Sequence, residues 1–472
     1  MVNFGFFDEW HPEPGKLTSW RPTPHARAAA AAATVHPAPP SYQQEEYLLA
    51  AHRSAGTGFR ASRLCMITFD LPGAPDYAAL GRTVTAFLRR HDTFHSRFAL
   101  HADGRIRRHV LVPGLIDVTA VDHGRFQHGA EIRAHVQSGT PGPFEWDCFD
   151  FGVIEYSGAF TVYAAVDHLH TDGVAQAVSF ADLLTIYLAE VGGTDADLAP
   201  VAGHIAYCDR ERRSGAQLSL RAPEVRTWVD LLRRNGGDVP SFPLDLGVGP
   251  GYTRGAQVTV PLLTEAGAQR FEQVCMDNGG RFLAGIFTAL AFTEYELADR
   301  EWYFGLTPAN TRSLPGEAAS VGWYTNLIPV SVQLGAEDTF ATAVAAAQRS
   351  ADHARALTAV SPHRVLELVA ADPAIRTRRG WSAPMLSYMD VRQSTDVAIF
   401  EQINGGLYAN SLSPSQVYIW INRFADVTTM TLLFPDTAVA HRSIERYRDR
   451  FTTIIASVAA EGDYAVPLRA AS

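Results

Sequence analysis

Between Ala159 and Leu188 the apolar pattern changes its period. Phe160, Val162, Ala164 and Val166 alternate with Thr161, Tyr163 and Ala165, as the two faces of a strand require. Beyond Gly173, the residues Val174, Ala177, Val178, Ala181, Leu184 and Leu188 recur at helical spacing. A strand that runs directly into a helix commits this part of the chain to a layered α/β arrangement. The turn between them, Asp167-His168-Leu169-His170-Thr171-Asp172-Gly173, lies where the strand ends. Catalytic and ligand-binding groups gather at such strand ends in α/β folds.

The same mixture recurs along the chain. Residues 61–110 read as strand, helix, strand. Asp76 is placed to cap a helix whose apolar positions Leu80, Val84, Phe87 and Leu88 share a face. Further on, Thr264 can open a helix, and Phe282 to Leu297 reads as a largely apolar one. Strands follow near 302–307, 326–333, 383–389, 416–422 and 427–434. A last amphipathic helix carries Ile444, Tyr447, Phe451, Ile454, Ile455 and Val458. With 472 residues the chain exceeds what one core usually fills, about 250–300 residues, so two lobes are expected. Gly192-Gly193-Thr194-Asp195 and the charged run Asp209 to Arg213 mark the boundary. The expected division is a first lobe at 1–200, a linker at 201–222 and a second lobe at 223–472.

Composition excludes several classes. The net charge of −10 argues against nucleic-acid binding. Cys65, Cys148, Cys208 and Cys275 stand far apart, which suits buried free thiols better than a disulfide framework or a zinc site. The opening residues lack the basic and sustained apolar stretches of a signal peptide, and no run of about 18 apolar residues suggests a membrane span. A cytoplasmic protein is expected, with contact at the inner membrane face left open. The alanine run from Ala28 to Ala33, followed by Pro37, Pro39 and Pro40, reads as a surface segment leading into the first helix.

Acyl transfer from a thioester to an alcohol needs few parts, and the 167–173 turn offers the central one. The attacking hydroxyl must lose a proton, and an imidazole is suited to take it at neutral pH. The thioester is already activated, so no protein nucleophile is required. His168 fits the base, and Asp172 and Gly173 fit structural support. His170 reads as a partly exposed loop histidine. Two rival classes remain. His168-Leu169-His170-Thr171-Asp172 also looks like the start of a dinuclear metallohydrolase signature, but Gly173 stands where that signature has its last histidine. A non-catalytic protein that only binds a carrier or a glycolipid is the other.

The turn resembles the HHxxxDG signature of the superfamily of nonribosomal peptide condensation domains, chloramphenicol acetyltransferase and polyketide-associated acyltransferases. Further segments stand in the family's order. Ser41-Tyr42-Gln43-Gln44 looks like the opening Ser/Gln motif, and the stretch from Arg89 to Phe98 looks like the RHExLRTxF motif. Thr307 to Arg312 looks like the later motif ending in arginine, and Gly322 to Pro329 like the GxxxN segment. Within the superfamily, the chain is most similar to the mycobacterial polyketide-associated proteins that acylate trehalose-type glycolipids. The supporting residues are Trp20, Pro39 to Gln44, Trp146 to Phe149, Asn422-Arg423-Phe424 and Leu433 to Asp436.

This resemblance implies two chloramphenicol-acetyltransferase-like α/β lobes in a V, with His168 in a central channel. It implies His168 as catalytic base and Asp172 as a structural group paired with Arg312. It also implies an acyl donor on coenzyme A or an acyl carrier protein of a polyketide synthase, a sugar or glycolipid acceptor, and no cofactor or metal. A free-standing condensation enzyme forming an ester or amide is the alternative. Trp323 and Asn326 are candidates for lining the channel or donating to the oxyanion, against ordinary packing or turn roles. Arg376, Arg378 and Arg379 form the densest arginine cluster of the second lobe and are candidates for the donor mouth, against a solvated loop. One departure stands out. Asp167 replaces the first histidine of the pair, and strand geometry predicts that it points away from His168.

Overall fold

The structure is a computed structural model that describes residues 3–55, 63–249, 251, 253–376, 381–393, 397–410 and 415–466. The chain divides into two compact units. The first comprises Met1–Gln217 and two later segments, Thr311–Thr325 and Thr395–Asn410. The second comprises Leu218–Asn310, Asn326–Ser394 and Ser411–Ser472. The division therefore falls at Gln217, and the expected linker is not a linker. Its residues His204–Gln217 form a helix of the first unit, which takes up the charged run. Asp92 holds the start of this helix, accepting from the backbone N–H groups of His204 and Ile205 at 2.7 and 3.2 Å.

The first unit is built on a seven-stranded sheet. Its spatial order is Asn3–Phe6, Gly406–Ala409, Leu64–Pro72, Ala159–Asp167, Phe149–Tyr156, Lys16–Pro22 and Val118–Arg125. The strand Ala159–Asp167 is central, antiparallel to both neighbours, with Leu64 opposite Asp167 and Phe149 opposite Val166. Its alternation is what the sequence predicts. Phe160, Val162, Ala164 and Val166 join a core with Phe69, Phe87, Phe94, Phe149 and Phe151. Tyr163 and Ala165 join a second core on the opposite face. A small sheet of Thr34–Val35, Ile106–Val110 and Ser96–Leu100 completes the unit.

Two helices differ from the sequence reading. Pro24–Ala32 is itself a helix, capped by Thr23, because Ala26 and Ala30 are buried rather than exposed. The helix Gly173–Gly192 forms as expected, but its expected apolar stripe is not its most buried face: Val178 and Leu184 pack against the core only in part. Val174 and Leu188 are exposed, whereas Ala175, Ser179, Phe180, Asp182, Leu183, Ile186 and Tyr187 are buried. The inner face takes in Asp182 because Arg90 and His91 meet its carboxylate at 2.7 and 3.0 Å. This helix is long and apolar enough, by length and composition, to cross a membrane, yet one face of it lies in the unit's core.

The second unit holds a six-stranded sheet. Its order is Gly255–Thr264, Val427–Pro435, Tyr418–Arg423, Met385–Asp390, Trp302–Asn310 and Thr325–Gln333. The helices Glu265–Asp277, Phe282–Ala298, Phe340–Arg355 and Ala438–Glu461 contribute to one large apolar core. Thr264 caps the first of them, as its sequence position predicts. Arg423 is fully buried and ties sheet to helix through Glu265 and Glu272, at 3.2 and 2.6 Å.

Candidate active site

The central strand ends at Asp167, and the chain turns through a short 3-10 segment, His168–His170. The Asp167 carboxylate caps this segment by accepting from the Leu169 N–H at 3.0 Å. Asp172 then caps the helix Gly173–Gly192, accepting from the Ala175 N–H at 2.8 Å. An aspartate at each end makes a tight strand-to-helix turn with its free N–H groups satisfied. Gly173 is the first residue of the helix.

His168 leaves this turn partly exposed and packs against Trp323, with ring centroids 4.4 Å apart. Its Nδ1 is buried and makes no hydrogen bond. Burial pushes the imidazole down to about 4, and the nearby Arg63 cation pushes the same way. Its own backbone carbonyl and the Asp172 carboxylate act in the opposite sense. The ring is therefore neutral at pH 7. With Nδ1 enclosed, Nε2 is the nitrogen left to accept a proton. Asp167 adjoins His168 in sequence, but its carboxylate is buried and engaged by the Tyr47 hydroxyl at 2.9 Å.

His170 is not the exposed loop residue expected from the sequence. It is buried, its Nδ1 lies 2.9 Å from the Thr93 hydroxyl, and its ring packs against Phe94 and Phe98. Burial holds it neutral, down to about 3. The two histidines thus serve different surroundings. Among the described residues no group of three potential ligands could hold a metal ion.

Asp172 and Arg312 form a buried bidentate ion pair, at 3.0 and 3.2 Å. Arg312 also donates to the carbonyls of Glu317 and Ser320 and stacks over Tyr324 at 4.3 Å. Asp172 accepts in turn from the Tyr324 N–H at 2.8 Å. The pair therefore pins the segment Thr311–Thr325, which carries Trp323, to the turn that carries His168. Gly322 is required here: a Cβ would stand 2.4 Å from the His204 ring.

The remaining candidates divide. The amide of Asn326 donates to the carbonyls of Thr358 and Val360 at 2.9 and 3.0 Å, and its oxygen accepts from the Leu327 N–H. Its donors are committed within the second unit, so Asn326 is a structural residue and not an oxyanion donor. Arg376 is exposed and turned to its own loop, with Asp238 at 3.6 Å and the Gly236 carbonyl at 2.9 Å. That arrangement gives no support to a donor mouth there; Arg378 and Arg379 lie outside the described residues.

Other residues meet the turn in ways the sequence did not indicate. The Gln44 amide donates to the Leu169 carbonyl at 2.8 Å, and Ser41 and Gln44 form a reciprocal capping box. The Ser/Gln motif thus braces the turn directly. Arg63 accepts from the His168 N–H at 2.6 Å, and Tyr47 packs edge-on to Trp323. Nothing in their spacing signals these contacts, which arise only when distant segments meet.

Residues 61–363 match the family described as the condensation domain. The chain is 35% identical to the trehalose-2-sulfate acyltransferase PapA2 of Mycobacterium tuberculosis, over 95% of both chains. It is 32% identical to the acyltransferase PapA3 of the same species, over 98% of both. The chain belongs to the condensation-domain family. It is a Pap-type acyltransferase. A solved structure titled PapA2 acyl transferase superposes with a TM-score of 0.90 at 34% identity, covering 97% of this chain and all of that one. The X-domain from teicoplanin biosynthesis superposes at 0.71 with 17% identity, a likeness of fold alone.

Proposed function

We propose that this acyltransferase moves a fatty or polyketide acyl group from a phosphopantetheine thioester to a hydroxyl of trehalose or a trehalose glycolipid. His168 is the general base. The observation that carries this reading is the imidazole itself, neutral at pH 7 and backed by Trp323 with Nε2 left to react. The names of the relatives support the acceptor class, a trehalose sulfate in one case.

His168 Nε2 takes the proton of the acceptor hydroxyl as its oxygen attacks the thioester carbonyl. The tetrahedral intermediate collapses, the C–S bond breaks, and the thiolate leaves with the proton returned by the imidazolium. The thioester supplies the activation, so the step calls for no cofactor. Trp323 is the candidate to stabilise the oxyanion, because it adjoins His168 and its indole N–H has no protein partner among the described residues. The donor is acyl-coenzyme A or an acyl carrier protein, which places the reaction in the cytoplasm.

The test offers acyl-coenzyme A with trehalose, trehalose 2-sulfate and simple alcohols, and identifies products by mass spectrometry. Wild-type protein should esterify the sugar. His168→Ala should fold normally and lose about 10²–10⁴ in rate. Wild-type turnover by His168→Ala would remove His168 from the mechanism.

A further inference from the structure

The replacement of a histidine by Asp167, directly before the catalytic residue, is built into a closed set of hydrogen bonds. The Tyr47 hydroxyl donates to Asp167 Oδ2 at 2.9 Å. The same hydroxyl accepts from the Arg63 N–H at 2.9 Å. The Arg63 carbonyl accepts from the His168 N–H at 2.6 Å. Asp167 Oδ1 accepts from the Leu169 N–H at 3.0 Å, which closes the ring on the other side of His168. The phenol therefore holds Arg63, whose carbonyl takes the His168 N–H, and the carboxylate holds the main chain just after the base.

Tyr47 does a second thing. Its ring packs edge-on to Trp323, with centroids 5.9 Å apart and planes at 72°. Trp323 in turn packs on the imidazole. The backbone of His168 and the wall behind its ring thus depend on the same side chain. Both residues are buried, so their bonds are not exchanged for water. Burial and the Asp167 charge hold the phenol well above its usual range, so it stays a hydrogen-bond donor at any working pH.

Asp167 is not among the leading influences on the His168 charge. The groups that shift the imidazole are its burial, Arg63, its own carbonyl and Asp172. What Asp167 controls is where the imidazole stands. We infer that Tyr47 and Asp167 are positioning residues for acyl transfer, acting as one unit that fixes His168 for proton abstraction. This rests on His168 being the general base. A displacement of about 1 Å in a catalytic group can cost about 10²-fold in rate.

Tyr47→Phe removes one oxygen and keeps the ring, and Asp167→Asn keeps an acceptor for Leu169 while withdrawing the one for Tyr47. Each variant and the double variant would be measured for kcat, both KM values, the pH profile of kcat and melting temperature, beside His168→Ala. Each single variant should lose about 10–100-fold in kcat with both KM values within about twofold. A loosened imidazole becomes better hydrated, so the acid limb of kcat should move up from about 4 toward 6.5. The double variant should lose little more than either single one, as expected for two parts of one unit. Wild-type kcat and an unmoved acid limb in both single variants, with His168→Ala inactive, would overturn the positioning role and leave the base in place. A lowered melting temperature with unchanged kcat in the folded fraction would overturn it equally. Full activity in His168→Ala would remove the reading beneath it as well.

Discussion

Trp323 and His168 touch, but contact alone does not assign Trp323 a part in the chemistry. A wall for the imidazole needs only a ring, whereas an oxyanion needs a donor. Trp323→Phe separates the two, since it keeps an aromatic face and removes the indole N–H. The expected outcome is a fall in kcat of about 10²–10³ with little change in KM, the usual cost of one lost oxyanion donor. Steady-state kinetics on purified variant checks it, and a wild-type kcat would reduce Trp323 to packing. The pairing of Asp172 with Arg312 was legible in the sequence, because a motif fixed both residues. A role was not legible where the contact alone gives it. Tyr47 meets Asp167 from 120 positions away, and nothing local marks it. Asn326 shows the opposite failure: its place in a family-like segment suggested a donor, but its N–H groups are occupied by two carbonyls. His170 was misjudged for the same reason, because Thr93 and two phenylalanines supply its surroundings.

At the scale of elements, Asp172 joins two functions that usually fall to separate residues. It caps the helix Gly173–Gly192, and it anchors the segment Thr311–Thr325 through Arg312. Loss of a cap costs about 1 kcal/mol, but breaking a buried ion pair costs about 3–5 kcal/mol, so the second effect dominates. Asp172→Ala should therefore lower the melting temperature sharply or make the protein insoluble, and activity should follow the folded fraction. Thermal denaturation beside an activity assay tests this. A soluble variant with unchanged melting temperature and selectively lost turnover would instead give Asp172 a chemical role. Elements themselves were largely readable where polarity changes along the chain. Asp76 and Thr264 cap the helices they were expected to open. The helix Gly173–Gly192 was placed correctly, but the face read as buried lies to one side of the face that is most buried. Both of its sides are apolar, and its buried side contains an aspartate that Arg90 and His91 make tolerable. Hydropathy cannot rank two such faces when the deciding partners lie on another helix. The helix His204–Gln217 was hidden by its own charge, which suits a linker until Asp92 is seen holding its first turn.

At the scale of the whole molecule, the distribution of buried titratable groups sets how acid should act. His91, His95, His123, His135, His168, His170 and His204 are all held below the ordinary histidine value, with burial the leading cause in each. A histidine lowered in the folded state is protonated first in the unfolded one. Its stabilising contribution is full above about 6.5 and is lost as pH falls toward the folded value. Asp150, Glu211 and Glu294 work the other way: burial raises each to about 7, so their contribution is full at low pH and fades as pH rises through 7. Between pH 6.5 and 5 the histidines outnumber the acids, and stability should fall as the solution is acidified. The loss should also be uneven. All seven histidines belong to the first unit, while Glu294 lies in the second and opposes the trend there. Acidification should therefore loosen the unit that carries His168 before the other. Hydrogen exchange read by mass spectrometry, corrected for intrinsic rates, distinguishes the two. Peptides from Ala159–Asp167 and Gly173–Gly192 should lose protection between pH 7 and 5, and peptides from Phe282–Ala298 should keep theirs. Equal loss in both units would mean that the acid response is not set by these histidines. Unchanged protection in the first unit would mean that their rings are already open to water in the folded protein.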